Sequence, residues 1–184
     1  TRCDNCDCVM HVNDSYGHGD DTLCYRCFNE LDNSIHDYGY KPEPIFYGKG
    51  SRFFGVELEI DIGGRDEDNA QSILEIGNTV DDCIYIKSDG SLNDGMEIVT
   101  HPMSLDYHMG YYWEDVLNEC IHLGYRSHQT STCGLHVHVN RSSLGDFTEH
   151  QEATISRILY FVEQHWNELL KFSRRSEAAM NRWA

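Results

Sequence analysis

The chain has 184 residues, 40% of them hydrophobic and 24% charged, which is the range of soluble globular proteins and enough for one ordinary domain with a small satellite. Its 31 acidic against 14 basic side chains leave a net charge of −17; the densest basic cluster is only Lys171, Arg174, Arg175 and Arg182, so phosphate backbones are repelled and nucleic acid is not expected as a partner. No stretch approaches the ~18 uninterrupted apolar residues of a membrane span, and no basic-then-apolar leader opens the chain.

The chain starts at Thr1 rather than Met, and 173–184 reads as a helix cut in mid-course, so a fragment of a longer protein is expected. Eight cysteines are many for this length. Five of them, Cys3, Cys6, Cys8, Cys24 and Cys27, crowd the first 27 residues, and Cys83, Cys120 and Cys133 stand singly in apolar surroundings. That is not the even framework of a disulfide-stapled secreted scaffold; it points to the reducing cytoplasm with one metal cluster.

Residues 1–40 hold too few large apolar side chains to build a core unaided. They do hold Cys3-Asp4-Asn5-Cys6 and, seventeen residues later, Cys24-Tyr25-Arg26-Cys27. Two such CxxC knuckles can point four thiolates at one ion, and the spacing falls inside the usual window for structural zinc, a disulfide pair and an iron site being the competing readings. Cys8 and His11 are spare ligand types nearby, and His18 between two glycines reads as a loop residue. Two basic residues, Arg2 and Arg26, against eight acidic ones make this module a folding staple or a protein-docking element rather than a phosphate binder. The Pro- and Gly-rich segment 41–52 reads as a linker to a main domain over 53–184.

In the main domain, 53–62 alternates as a half-buried strand, with Phe54, Val56, Leu58, Ile60 and Ile62 opposite Glu57, Glu59 and Asp61. Gly63-Gly64 ends it, and 68–77 follows with a weak helical pattern through Ala70, Ile73, Leu74 and Ile76. Strands over 82–87 and 95–101 flank the turn residues Ser88-Asp89-Gly90-Ser91 and Asn93-Asp94-Gly95, so a hairpin is expected. Ser104 is the N-cap of a helix running to Leu123, where Gly124 stops it. The run 134–140 alternates again, Leu135, Val137 and Val139 against His136, His138 and Asn140. Thr148 to Gln151 has the form of a capping box, and Ile155, Ile158, Leu159, Val162, Trp166, Leu169 and Leu170 form a helical stripe expected to be core. Long helices between antiparallel-looking strands give an α+β fold with helices on one sheet face.

Three strands thus offer metal-capable groups on their polar side: Glu57 and Glu59, then Asp89 and Glu97 from the hairpin, then His136 and His138. Residues two apart on a strand stand side by side. Carboxylates suit Mg²⁺ and Mn²⁺, and an added imidazole shifts preference toward Mn²⁺ or Zn²⁺. Singly, paired glutamates on a strand are usually a solvated face, whereas two imidazoles side by side are uncommon on one; together on consecutive strands they point to one site.

The runs FGVELEID, DGSLNDGMEIVTHPMS and CGLHVHVNRSSLG, in this order and at these separations, resemble the amidoligase family of carboxylate–amine ligases, in the superfamily of glutamine synthetase and glutamate–cysteine ligase. The likeness spans roughly 53–175 and leaves the zinc module outside. It implies a curved antiparallel sheet whose concave face binds ATP and Mg²⁺ or Mn²⁺. It implies Glu57, Glu59, Asp89 and Glu97 as metal ligands, and His136 as the residue touching metal and nucleotide phosphate. His138 and Asn140 would support it or reach the nucleotide, and Arg174 and Arg175 would neutralise phosphate charge. The catalytic set would then be Glu57, Glu59, Glu97, His136 and Arg174, joining a small-molecule or peptide carboxylate to an amine through an acyl phosphate. Full members continue beyond the position of Arg175 with further sheet. Two rival readings stand beside this one: an ATP-independent metal hydrolase or oxygenase using the paired histidines with a glutamate, and a non-catalytic interaction protein that keeps the fold and docks through its zinc module.

Overall fold

The computed structural model describes residues 1–18, 21–29 and 34–174, the side chains of His18 and Asn29 excepted. The chain divides into two compact units, Thr1–His138 and Val139–Ala184.

The first unit opens with an antiparallel hairpin of β1 (Ser15–His18) and β2 (Asp21–Cys24), followed by the short helix α1 (Tyr25–Asn29). Its own small core is Cys3, Leu23 and Cys27, packed by Cys6, Met10, Cys24 and Phe28. Asp4 ties the first knuckle to the hairpin: its backbone N–H donates to Thr22 O at 2.9 Å, and its carboxylate accepts from Thr22 N at 2.6 Å. That clamp brings Cys3 and Cys6 up to Cys24.

A five-stranded sheet forms the body of the unit. Its spatial order is β3 (Ile35–His36), β5 (Ile84–Lys87), β6 (Met96–Thr100), β4 (Phe54–Ile60), β7 (Leu135–Val139). The expected hairpin is present, β5 pairing antiparallel with β6, and β4 pairs antiparallel with β6. A purely antiparallel sheet was the expectation; the sheet is mixed, because the two-residue β3 runs parallel to β5. β3 comes from the segment read in sequence as part of the N-terminal module. With helices packed on these strands, the class is α+β.

Register decides which face does what. Leu58, Ile98 and Ile86 lie in one row across β4, β6 and β5, with Ile60 opposite Met96 beside them. These residues meet Ala70 and Ile73 of α2 (Glu67–Gly77) and Val116 and Cys120 of α4 (Trp113–His122) in one buried core. Apolar burial of this kind supplies most of the folding free energy. The alternate row, Glu59, Glu97 and Lys87, must then face away from the core. Asp66 caps α2 by accepting from Asn69 N at 2.9 Å.

Four helical expectations need correction. The single helix 104–123 is two, α3 (Leu105–Gly110) and α4, because Tyr111 leaves the helix in an extended conformation, buries its ring and donates its hydroxyl to Gly77 O at 2.9 Å. The long helix of the second unit is likewise two, α5 (Thr148–Gln164) and α6 (Trp166–Ser173), parted at His165. There is no capping box at Thr148: Phe147 is the N-cap, and the Gln151 side chain instead donates to Gly145 O and accepts from Arg141 Nε. Nor is the apolar stripe core. Neither helix has a buried residue, since two helices joined end to end give such a stripe no facing surface within their unit. No helix among the described residues is long and apolar enough to cross a membrane.

Asp61, fully buried at the end of β4, holds three loops together. It accepts from Ile62 N, Asn93 N, Asp94 N and the Thr132 hydroxyl at 2.6–3.1 Å. Burial pushes its carboxyl up, but these donors outweigh it and the net direction is down. Its stabilisation is therefore complete above the unfolded carboxyl value of ~3.9 and disappears as pH falls through the lower folded value. We expect Asp61→Ala to lower stability by about 3 kcal/mol in urea denaturation at neutral pH, with the deficit relative to the parent shrinking in acid; a change below about 1 kcal/mol would remove Asp61 from this role.

Candidate metal sites

The strand face opposite the core carries the carboxylates. Glu59 stands directly across from Glu97, and Glu97 directly across from Lys87; in the next row Glu57, Val99 and Tyr85 are aligned in the same way. β7 adds His136 and His138. His136 Nδ1 and His138 Nε2 approach one oxygen, Oε2 of Glu57, at 3.2 and 3.1 Å. A neutral His136 in this contact donates from Nδ1 and leaves Nε2 as its lone-pair nitrogen, the arrangement in which a carboxylate orients an imidazole for a metal.

Two groups of ligand atoms lie within 4.8 Å of one another: Glu57, Glu97 and His136, and Glu59, Asp89 and Glu97. Glu97 belongs to both. The structure thus brings Glu57, Glu59, Asp89, Glu97 and His136 together, with His138 bonded to Glu57. The donor set, carboxylate oxygens with one imidazole, fits Mg²⁺ or Mn²⁺.

Electrostatics agree with a face in which carboxylates outnumber the single Lys87 ammonium. Burial pushes the Glu97 carboxyl up; Lys87 pulls it back, Glu57 and Asp89 repel it, and the net direction is up. Glu57 is also pushed up by burial, but the bonds from His138 and His136 bring it below the ordinary glutamate value. Tyr85 rises to about 12, through burial first and then the charges of Glu57 and Glu97. Glu59 is held by the Gly134 backbone N–H, and Asp89 by Ser91 N at 2.7 Å.

Two residues of this face escaped the sequence reading. Lys87 is almost wholly buried and its Nζ lies 3.2 Å from Glu97 Oε2; Tyr85 sits one row away. The signal was available in strand parity, since Lys87 and Tyr85 alternate with Ile84 and Ile86, but it needed the register to Glu97. A cavity of about 220 Å³ opens beside Glu57 and His138, walled by Tyr85, His101, Pro42 and Pro44. A larger cleft of about 600 Å³ lies between α2 and α4, on the helix side of the sheet, and holds none of these groups.

The remaining expected residues fall in the second stretch of chain, Val139–Ala184. Asn140 precedes a 3₁₀ turn (Arg141–Leu144) of the second unit and donates to Ser142 Oγ at 2.9 Å. Arg174 ends α6 in that unit in a left-handed conformation. Arg175 lies outside the described residues.

The N-terminal thiols form a second centre. The sulfurs of Cys3, Cys6, Cys8 and Cys24 lie within 4.8 Å of one another, and Cys27 interacts with those of Cys3, Cys6 and Cys24. The sequence points to Cys3, Cys6, Cys24 and Cys27; the group of mutually close sulfurs has Cys8 in the place of Cys27. Cys6 and Cys24 sulfurs are 3.7 Å apart. A tetrahedral ion with ligand distances of about 2.3 Å sets its sulfurs about 3.8 Å apart, so the spacing suits such an ion. Burial pushes the Cys3 thiol up, but backbone hydrogen bonds from Cys24, Cys6 and Asn5 bring it down to about 6. His11 does not join: its Nδ1 accepts from Asn13 N at 3.2 Å, capping a 3₁₀ turn (Val12–Asp14).

No protein-family model, curated protein or solved structure matches the chain.

In buffer free of added divalent ions, Glu97→Gln strands the buried Lys87 ammonium and is expected to cost about 3 kcal/mol or more. Glu57→Gln, at a partly exposed position, is expected to cost no more than about 1 kcal/mol. Chemical denaturation of the two variants checks this, and equal losses would deny the Lys87–Glu97 pair its role in holding the face together.

Proposed function

We propose that the chain carries the site of an ATP- and divalent-ion-dependent carboxylate–amine ligase, and that its cysteine cluster holds a structural zinc. The observation that carries the reading is the sharing of Glu97 between two carboxylate-rich ligand groups on one strand face, with His136 beside them. The amidoligase resemblance supplies the reaction class, and the fold under it would be the curved, glutamine synthetase-like sheet.

In this reaction ATP phosphorylates a substrate carboxylate, giving ADP and an acyl phosphate. An amine then attacks the acyl carbon, phosphate leaves, and an amide forms. Bound Mg²⁺ or Mn²⁺ would supply screening between two anions that must meet. The chain's own part is positional. Glu57, Glu59, Asp89 and Glu97 hold the ions, Glu57 orients both imidazoles, and the cavity beside Glu57 and His138 receives a substrate group. The roles of Asn140, Arg174 and Arg175 toward the nucleotide rest on the resemblance alone. Thiols without disulfide partners among the described residues, and ATP as co-substrate, suit the cytoplasm. The zinc module, with more acid than base, is assigned to protein contact rather than nucleic acid.

The test is calorimetric titration of the zinc-loaded protein with a non-hydrolysable ATP analogue. Binding is expected to require Mg²⁺ and to be abolished by Glu57→Gln or His136→Ala, with zinc content unchanged. Normal binding by both variants would sink the assignment. Metal-dependent hydrolysis or oxygenation without ATP would favour the rival enzyme built on Glu57, His136 and His138.

A further inference from the structure

Lys87 is the feature of the strand face that the ligase reading leaves unused. It is 7% exposed and closes β5 directly across from Glu97. A buried ammonium at such a place is expensive unless paired, and the pairing here is specific. Its Nζ lies 3.2 Å from Glu97 Oε2, and the Tyr38 ring is 5.5 Å away on another side. Glu97 is also the carboxylate common to both candidate metal groups.

These two uses of Glu97 compete. A carboxylate that bridges two cations in its commonest way gives one oxygen to each. With Lys87 on Oε2, one oxygen is left, and any cation drawn to Glu97 meets a positive charge at hydrogen-bond distance. The low-dielectric surroundings that make the pair tight make that repulsion large.

We infer that Lys87 is a built-in cation that competes with a divalent ion for Glu97 and must leave Glu97 Oε2 before both metal groups fill. This rests on the divalent-ion reading of the face and adds a regulator of loading to it. In the ion-free protein Lys87 offsets the Glu59–Glu97 repulsion and keeps the face folded. When an ion takes over that neutralising role, the released ammonium stays beside the site as a fixed positive charge available to an anionic substrate group. Removing the ammonium should therefore tighten ion binding even though it weakens the ion-free fold.

The experiment is calorimetric titration of the full zinc-loaded chain with Mn²⁺ alone. Lys87→Met is expected to bind Mn²⁺ roughly tenfold or more tightly than the parent, and Lys87→Arg, which keeps the charge, to stay within about twofold. Should Lys87→Met not fold, the parent decides the matter. Its Lys87 ammonium nitrogen resonance, sharp while paired with Glu97, is expected to shift on addition of Mg²⁺. Equal or weaker Mn²⁺ binding by Lys87→Met, or an unmoved Lys87 resonance with Mg²⁺ bound, overturns the inference and leaves the metal site standing. No Mn²⁺ bound by parent or variant overturns both.

Discussion

Two glutamates face each other directly across neighbouring strands, Glu59 on β4 and Glu97 on β6, and much of the first unit is arranged around that contact. Like charges in register across a sheet are destabilising, and here both are nearly buried. Lys87 offsets one of them from β5, and the Gly134 backbone N–H satisfies the other. The reverse face explains why the strain is tolerated. Ile60, Ile86, Met96 and Ile98 meet α2 and α4 in a closed apolar layer that fixes the strands in register. A one-residue slip would turn the isoleucines outward and the glutamates into the core, so hydrophobic burial enforces the meeting of charges.

Around this sheet, buried polar groups act as fasteners. Asp61 gathers Ile62, Asn93, Asp94 and Thr132 at one end of β4, where the chain turns away and the β5–β6 loop returns. At the other end Val56 N donates to the Thr100 hydroxyl at 2.9 Å. The two rows between these points are the ones that carry Glu57, Glu59, Glu97 and Lys87. A face of converging carboxylates thus sits between two hydrogen-bonded fastenings, as pre-organised ligand sets require.

Much of this was legible in the sequence, for a physical reason. Alternation in 53–62 and 95–101 separates faces by parity alone, so Glu57, Glu59 and Glu97 could be placed away from Ile60 and Ile98 with no knowledge of the fold. The hairpin was equally plain in Asn93-Asp94-Gly95, where a Cβ at Gly95 would overlap the Ile60 carbonyl. What parity cannot supply is register between strands. Lys87 was invisible as a site residue until β5 was paired with β6, and β3, two residues long, has no periodicity to read. The break at Tyr111 depends on a tertiary bond to Gly77 O, and Cys8 joins the thiols through the fold of a loop. The helical stripe from Ile155 to Leu170 misled because periodicity identifies an apolar face without saying what covers it.

The central claim is that one strand face, through the shared Glu97, holds divalent ions. Anomalous diffraction from a crystal of the protein soaked in Mn²⁺ tests it most directly. The account predicts a manganese peak at coordination distance, about 2.0–2.3 Å, from Glu97 and from Glu57 with His136, or from Glu59 with Asp89. Manganese peaks confined to other parts of the surface, with that face bare at saturating Mn²⁺, would contradict it.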